Sequence, residues 1–233
     1  MSQVSNSHAE PANPGFDQRF AAALRGFGPV GIAAFVIVFA GVLLAPPIAA
    51  ALGLVWLWLS RTPLRDLGMA RPKSWVITIV GGLLLGIALK FLMKAVVLPL
   101  MGADPINHTF HYLAHDKEAA LEFAAYAIYG AGFSEEFFFR GYLFERLGKL
   151  FGRSTLAIVT IVILTTGLFG LAHYQQGPFG VINALFTGAT VAIIFALTRN
   201  LWFVMFTHAA FDLAALAMIY YDVEPQVAHL IFK

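Results

Sequence analysis

The chain has 233 residues, 59% of them hydrophobic and only 12% charged, with a net charge of +2 and a mean hydropathy of +0.77. Soluble domains carry about 25% charged residues, so the composition excludes a water-soluble globular protein, and so small a net charge argues against a nucleic-acid partner. There is no cysteine, which excludes disulfides, thiolate zinc sites and a thiol nucleophile.

Residues 1–15 are polar and lack a basic segment followed by a short apolar core, so they read as a disordered tail rather than a cleaved signal peptide. Residues 16–233 are read as one membrane-embedded helical domain. At its start Phe20, Leu24 and Phe27 share one side while Arg19 and Arg25 are interspersed, as in an amphipathic segment lying on a membrane surface. Residues 28–60 carry no charge and are broken by Pro46-Pro47. A span needs about 20 residues, so this run is one long kinked helix or two short ones.

Arg61, Arg65, Arg71 and Lys73 follow, against a single Asp66. The next span is 75–101, and Lys90 and Lys94 within it are expected to snorkel toward the outer surface. The loop after it holds His108, His111 and His115, whose spacing fits one side of a short interfacial helix, with Asp116 next. Metal binding there is the alternative to a solvated face. Residues 119–144 form a further span, followed by Arg146, Lys149 and Arg153; spans 155–173, 179–198 and 201–221 complete the set.

Loops rich in Lys and Arg alternate with loops poor in them, so the positive-inside rule places 61–73, 146–153, Arg199 and the N-terminus in the cytoplasm. Both ends of 28–60 then lie on one side, which favours two crossings. The expected fold is all-α: a polytopic membrane helical bundle of about seven transmembrane helices, within a range of six to eight. No internal repeat is visible, which argues against a transporter built from duplicated halves.

Ionised side chains at hydrocarbon depth cost about 3 kcal/mol each and are functional candidates by default. Span 119–144 contains three, in Gly132-Phe-Ser-Glu-Glu-Phe-Phe-Phe-Arg-Gly141. Glu136 and Arg140 lie four apart and can neutralise each other. Glu135 is turned about 100° away and needs another partner. His173 ends the run Phe169-Gly-Leu-Ala-His173, and His208 and Asp212 lie four apart in Thr207-His-Ala-Ala-Phe-Asp212.

A carboxylate, two imidazoles and a further acceptor from three helices suit hydrolysis of an amide. Glu135 would act as general base on water, His173 would hold the water or protonate the leaving amine, and His208 with Asp212 would stabilise an oxyanion. Ser134 has no base at nucleophile spacing. Zinc held by two His and one Glu is an alternative, although His-Glu-x-x-His is absent. A structural bridge for Glu136–Arg140 and a structural role for His173 are the plain readings of each motif taken singly.

Glu135-Glu136-x-x-x-Arg140-Gly141, Phe169-x-x-x-His173 and His208-x-x-x-Asp212, in that order, resemble the three motifs of the CPBP family, the CAAX prenyl protease and bacteriocin-processing (Abi) membrane proteins. Gly188, Arg199-Asn200-Leu-Trp202, Leu67-Gly68 and Arg71-Pro72 also resemble family positions, so the likeness covers roughly 65–215. The resemblance implies a metal-free intramembrane glutamate-type endopeptidase with no cofactor. It implies Glu135, His173, His208 and Asp212 as catalytic residues, with Glu136 and Arg140 supporting.

An Asp at 212, where eukaryotic CAAX proteases have Asn, would orient His208 or stay protonated. The implied partners are the lipid bilayer and a membrane-associated peptide or protein. The short chain with a simple tail looks bacterial, which suggests the inner membrane. A non-catalytic bacteriocin-immunity or peptide-binding member of the family is the second reading. One geometric conflict follows from straight, upright helices: Glu135 and His208 would lie roughly 15 and 12 Å from the inner ends of their spans, and His173 roughly 27 Å. Tilt, a late start to the 155–173 helix, or a break at Gly130–Gly132 that raises Glu135 would be required to bring them together.

Overall fold

The computed structural model describes residues 15–232; all but Gly15 of the expected tail lies outside the described residues. These residues form helices and connecting turns, with no strand among them. Three N-terminal helices are α1 (Phe16–Arg25), α2 (Pro29–Leu44) and α3 (Pro46–Ser60). The run 28–60 is therefore two helices. Ala45 is extended between them (φ −169°, ψ 144°), and Pro46 opens α3, where its missing N–H and fixed φ are tolerated. α1 meets α2 at 59°.

α4 (Trp75–Leu92) continues through a wider turn, Met93–Val97, to Leu100. α5 (Lys117–Tyr126) begins at Asp116, whose carboxylate accepts from the N–H groups of Glu118 and Ala119 at 3.1 and 3.0 Å. It runs through two π-type stretches, Ala127–Glu135 and Phe137–Tyr142, into α6 (Leu143–Phe151). α7 (Thr155–Ala172), α8 (Gly177–Thr198), α9 (Leu201–Tyr220) and the short α10 (Glu224–Ala228) follow.

Four helices are long and apolar enough to cross a membrane: Trp75–Leu100, Thr155–Ala172, Tyr174–Thr198 and Leu201–Tyr220. A fifth results if α1 and α2 form one broken span. The chain is thus an integral membrane helical protein. The expected count of about seven is not reached on length and apolarity, for a physical reason in each remaining case. α3 has only 15 residues, about 22 Å of helix, and the 117–151 helix carries Glu135, Glu136 and Arg140 in its middle.

α4 and α9 pack through small residues, the usual means of close approach in lipid. A Cβ on Gly86 would stand 2.1 Å from the Thr207 carbonyl oxygen, and one on Gly82 2.8 Å from that of Phe203. This contact seats α9, the helix of His208 and Asp212, at a fixed depth. Asn200 sets its start by capping Phe203 N–H and donating to Thr78 Oγ1 at 3.1 Å on α4.

The basic segments gather at one end of the bundle. Arg146 donates to the carbonyls of Arg25 and Gly26, closing the C-terminus of α1, and Arg25 in turn donates to Ser60 O. Arg199 donates to Asp66 O, and Leu201 N–H to Gly68 O. At the opposite end the His-rich loop departs from expectation. Only His111–Leu113 forms a helical turn, and His115 takes a left-handed φ of 59°, so the three histidines do not share a helix face. His108 pairs with Asp104 at 3.2 Å. The Ile106 N–H, with His108 adding to it, holds the Asp104 carboxyl below its usual range.

Gly86→Ala should lower the unfolding stability of the detergent-purified protein by about 1–3 kcal/mol, since the added methyl meets backbone. Gly167→Ala, where nothing lies within 4 Å of the added atom, should be neutral in the same denaturant titration.

Candidate active site

The conflict of depths is resolved by the length of the 117–151 helix. It passes beyond 144 to Phe151 before turning into α7, so Glu135 lies 16 residues before that end and His173 18 residues after Thr155. Helix ascent therefore carries both to similar height above a common turn. α9 starts higher, because Gly141 rather than Phe151 faces Leu201 and Leu67. His208 needs only two turns to reach the same level.

The widened helix between Ala127 and Tyr142 is the local device that aims the two glutamates. In a π turn the backbone bonds i to i+5 and side chains shift around the axis; such turns recur at functional sites. Ser134 donates its hydroxyl to Tyr129 O at 2.7 Å. That bond accounts for the serine and removes it as a nucleophile candidate. Gly132 lets the widened turn lie against α9, since a Cβ there would be 2.8 Å from that of Ala209.

Glu136 is fully buried and central. Its Oε1 accepts from Arg140 Nη1 at 2.9 Å and from His208 Nδ1 at 2.7 Å. Arg140 Nη2 donates to Gly188 O at 2.9 Å on α8, and its guanidinium lies 4.6 Å from the centre of the Phe169 ring. One carboxylate oxygen thus ties the 117–151 helix to α9, and through Arg140 to α8 and α7. The pairing of Glu136 with Arg140 follows from their spacing; the bond to His208 is an addition. Asp212 stands 3.7 Å from His208 Nε2, beyond a hydrogen bond. Glu136, not Asp212, therefore orients the imidazole.

Glu135 is different. It is buried, enters no hydrogen bond or ion pair among the described residues, and its Oε2 has no partner. It faces a cavity of about 160 Å³ that His173, His208 and Asp212 also line. All four residues assigned to catalysis in the sequence thus meet in one space, with Glu136 and Arg140 directly behind. His173 Nδ1 donates to Phe169 O at 2.8 Å, which leaves its Nε2 edge free. Asn183 Oδ1 and Thr187 Oγ1 from α8 are buried without partners and line the same cavity. Three buried polar atoms without partners thus converge on it.

Sequence reasoning missed Asn183 and Thr187 on α8, because they are uncharged. It also misplaced the lysines. Lys94 is buried and donates to Glu224 Oε1 at 2.6 Å, while Glu224 Oε2 accepts from Asn107 N–H. Lys90 is buried and lines the cavity. Neither snorkels outward, and the depth of Lys90 in its span was the signal. No three His, Asp or Glu side chains among the described residues form a metal-ligating group.

The fold and this site define a helical membrane protein with a carboxylate–imidazole cavity. Residues 117–214 match the family model described as type II CAAX prenyl endopeptidase, Rce1-like. The matched segment contains all six residues named above, and the family described is the one that the three motifs resemble. Neither a curated protein nor a solved structure gives a significant match.

Arg140→Met leaves Glu136 in a dry interior without its cation, which should cost about 3–5 kcal/mol in unfolding measurements. Arg140→Lys should restore little of this, because one ammonium cannot span Glu136 and Gly188 O as the guanidinium fork does.

Proposed function

We propose that the protein is an intramembrane endopeptidase that cleaves a membrane-associated peptide or protein with a glutamate-activated water and no metal. The observation that supports this most is the unpartnered Glu135 carboxylate facing a cavity shared with two imidazoles. The Rce1-like match over the same residues supports the reaction class.

Glu135 takes a proton from water, and the water oxygen bonds to the scissile carbonyl carbon. His173, whose Nδ1 is committed to Phe169 O, presents Nε2 to that water. His208 donates from Nε2 to the developing oxyanion, its ring held by Glu136. Collapse of the intermediate breaks the C–N bond, and the proton on Glu135 passes to the leaving amine. Asp212 lies 3.7 Å from His208 Nε2 and supports the charge of the imidazolium. Asn183 and Thr187 supply polar atoms for the substrate backbone.

Asn107 and Gln176 line the cavity at the end opposite the basic loops, which is taken as its entrance. With those loops and the N-terminus in the cytoplasm, and the bacterial inner membrane as location, substrates enter from the extracytoplasmic side.

Purified protein in lipid nanodiscs should cleave members of a membrane-peptide library. Glu135→Gln should lower the rate by about 10²–10⁴, and His173→Ala should also cause a large loss. A strong chelator should change nothing; loss reversed by zinc would establish a metal mechanism instead. Cleavage surviving Glu135→Gln would reject the role given to that residue. A cellular phenotype persisting in Glu135→Gln cells would favour the non-catalytic, peptide-binding reading.

A further inference from the structure

Positive charge outside the Glu135 site gathers around a cavity of about 560 Å³ at the basic end of the bundle. It shares no lining residue with the Glu135 cavity. Four basic side chains line it against two acidic ones, and each of the four comes from a different segment. Arg65 is on the turn Leu64–Leu67, Lys149 on α6, Arg153 in the link to α7, and Arg199 between α8 and α9.

The two acids are already engaged. Glu145 forms an ion pair with Lys149 and lies 3.9 Å from Arg146, while Asp66 stands 3.9 Å from Arg65. Arg153 and Arg199 have no carboxylate oxygen within 4 Å among the described residues. Arg199 donates to Asp66 O at 2.8 Å and lies 4.6 Å from the centre of the Phe195 ring. These contacts hold its guanidinium in place with N–H donors to spare.

The rest of the lining is apolar or glycine. Phe144 and Ile161 are buried, and Ile158 and Ala196 stand where α7 begins and α8 ends. Both helices are long and apolar enough to cross a membrane, and Leu156 and Leu197, adjacent in sequence to the lining, are exposed. The cavity therefore lies at the depth where headgroups give way to acyl chains. Basic pockets between spans at that depth suit anionic headgroups.

We propose that this cavity binds the phosphate of an anionic phospholipid, with the acyl chains lying along α7 and α8. Arg153 and Arg199 offer planar forks that match phosphate oxygens, and Arg65 and Lys149 complete the rim. The four cations belong to four segments, so the bound lipid joins the end of the Glu135 helix to the turns before α7 and α9. It stabilises the folded bundle by mass action. A soluble phosphate compound is the other source of the same chemistry; the apolar flank favours the lipid.

The test measures lipid binding by native mass spectrometry and thermal unfolding of detergent-purified protein. Phosphatidylglycerol and phosphatidylcholine of equal chain length are titrated, with glycerol 3-phosphate and inorganic phosphate in parallel. Phosphatidylglycerol should bind about tenfold or more tightly than phosphatidylcholine and raise Tm. Arg153→Gln should weaken that preference, and Arg65→Gln with Arg153→Gln should remove most of it. Both side chains are exposed, so the variants should fold. Lys73→Gln, which removes an exposed cation outside the cavity, should retain the preference. Equal affinity for the two lipids, a preference that survives the double substitution, or an equal loss in Lys73→Gln would overturn the proposal. Protection by glycerol 3-phosphate or inorganic phosphate as strong as that by the lipid would overturn its lipid form in favour of a soluble phosphate.

Discussion

A single carboxylate oxygen carries the arrangement. Glu136 Oε1 accepts from both Arg140 and His208, and Arg140 extends the connection to the Gly188 carbonyl and the Phe169 ring. Four helix segments are joined through one buried point. In lipid there is no hydrophobic force between helices, and packing and polar contacts must hold them. The network is also charge-compensated, which an isolated carboxylate at that depth would not be. Its consequence is asymmetric: Glu136 is consumed by structure, and the adjacent Glu135 is left free to face the cavity.

The packing around this point serves the same end. Gly82 and Gly86 seat α9 against α4, Gly132 seats the widened helix against α9, and Gly188 admits Arg140 and Phe169. A methyl would meet α9 at the first three positions, and Phe169 with Arg140 at Gly188. At the basic end, Arg146 closes α1 and Arg199 clasps Asp66 O; toward the other end Asn107 and Gln176 line the cavity. Lys94 and Glu224 form a second neutral pair there and tie down the loop at Asn107.

Much of this was legible in the sequence. Charges in an apolar run identified Glu135, Glu136 and Arg140, and i,i+4 spacing paired the last two. His173, His208 and Asp212 stood out for the same reason, as polar groups where lipid demands apolar ones. The partner of His208 was not legible, because it depends on rotation of the 117–151 helix, and π turns over Gly130 to Ser134 have no strong local signature. Depth was misread because α6 is amphipathic and was counted as a loop after residue 144. Of the roughly seven spans read from hydropathy, length and apolarity support four or five; α3 is apolar enough but short. Lys90, expected to snorkel outward, instead lines the cavity, which hydropathy along the span does not reveal.

The distinction between the two glutamates is the claim on which the rest depends, and coupling energies test it directly. Double-mutant cycles on unfolding would pair His208→Gln first with Glu136→Gln and then with Glu135→Gln. The account predicts coupling of about 1–3 kcal/mol for Glu136 with His208, and coupling near zero for Glu135 with His208. The reverse order, or equal coupling for both, would contradict it.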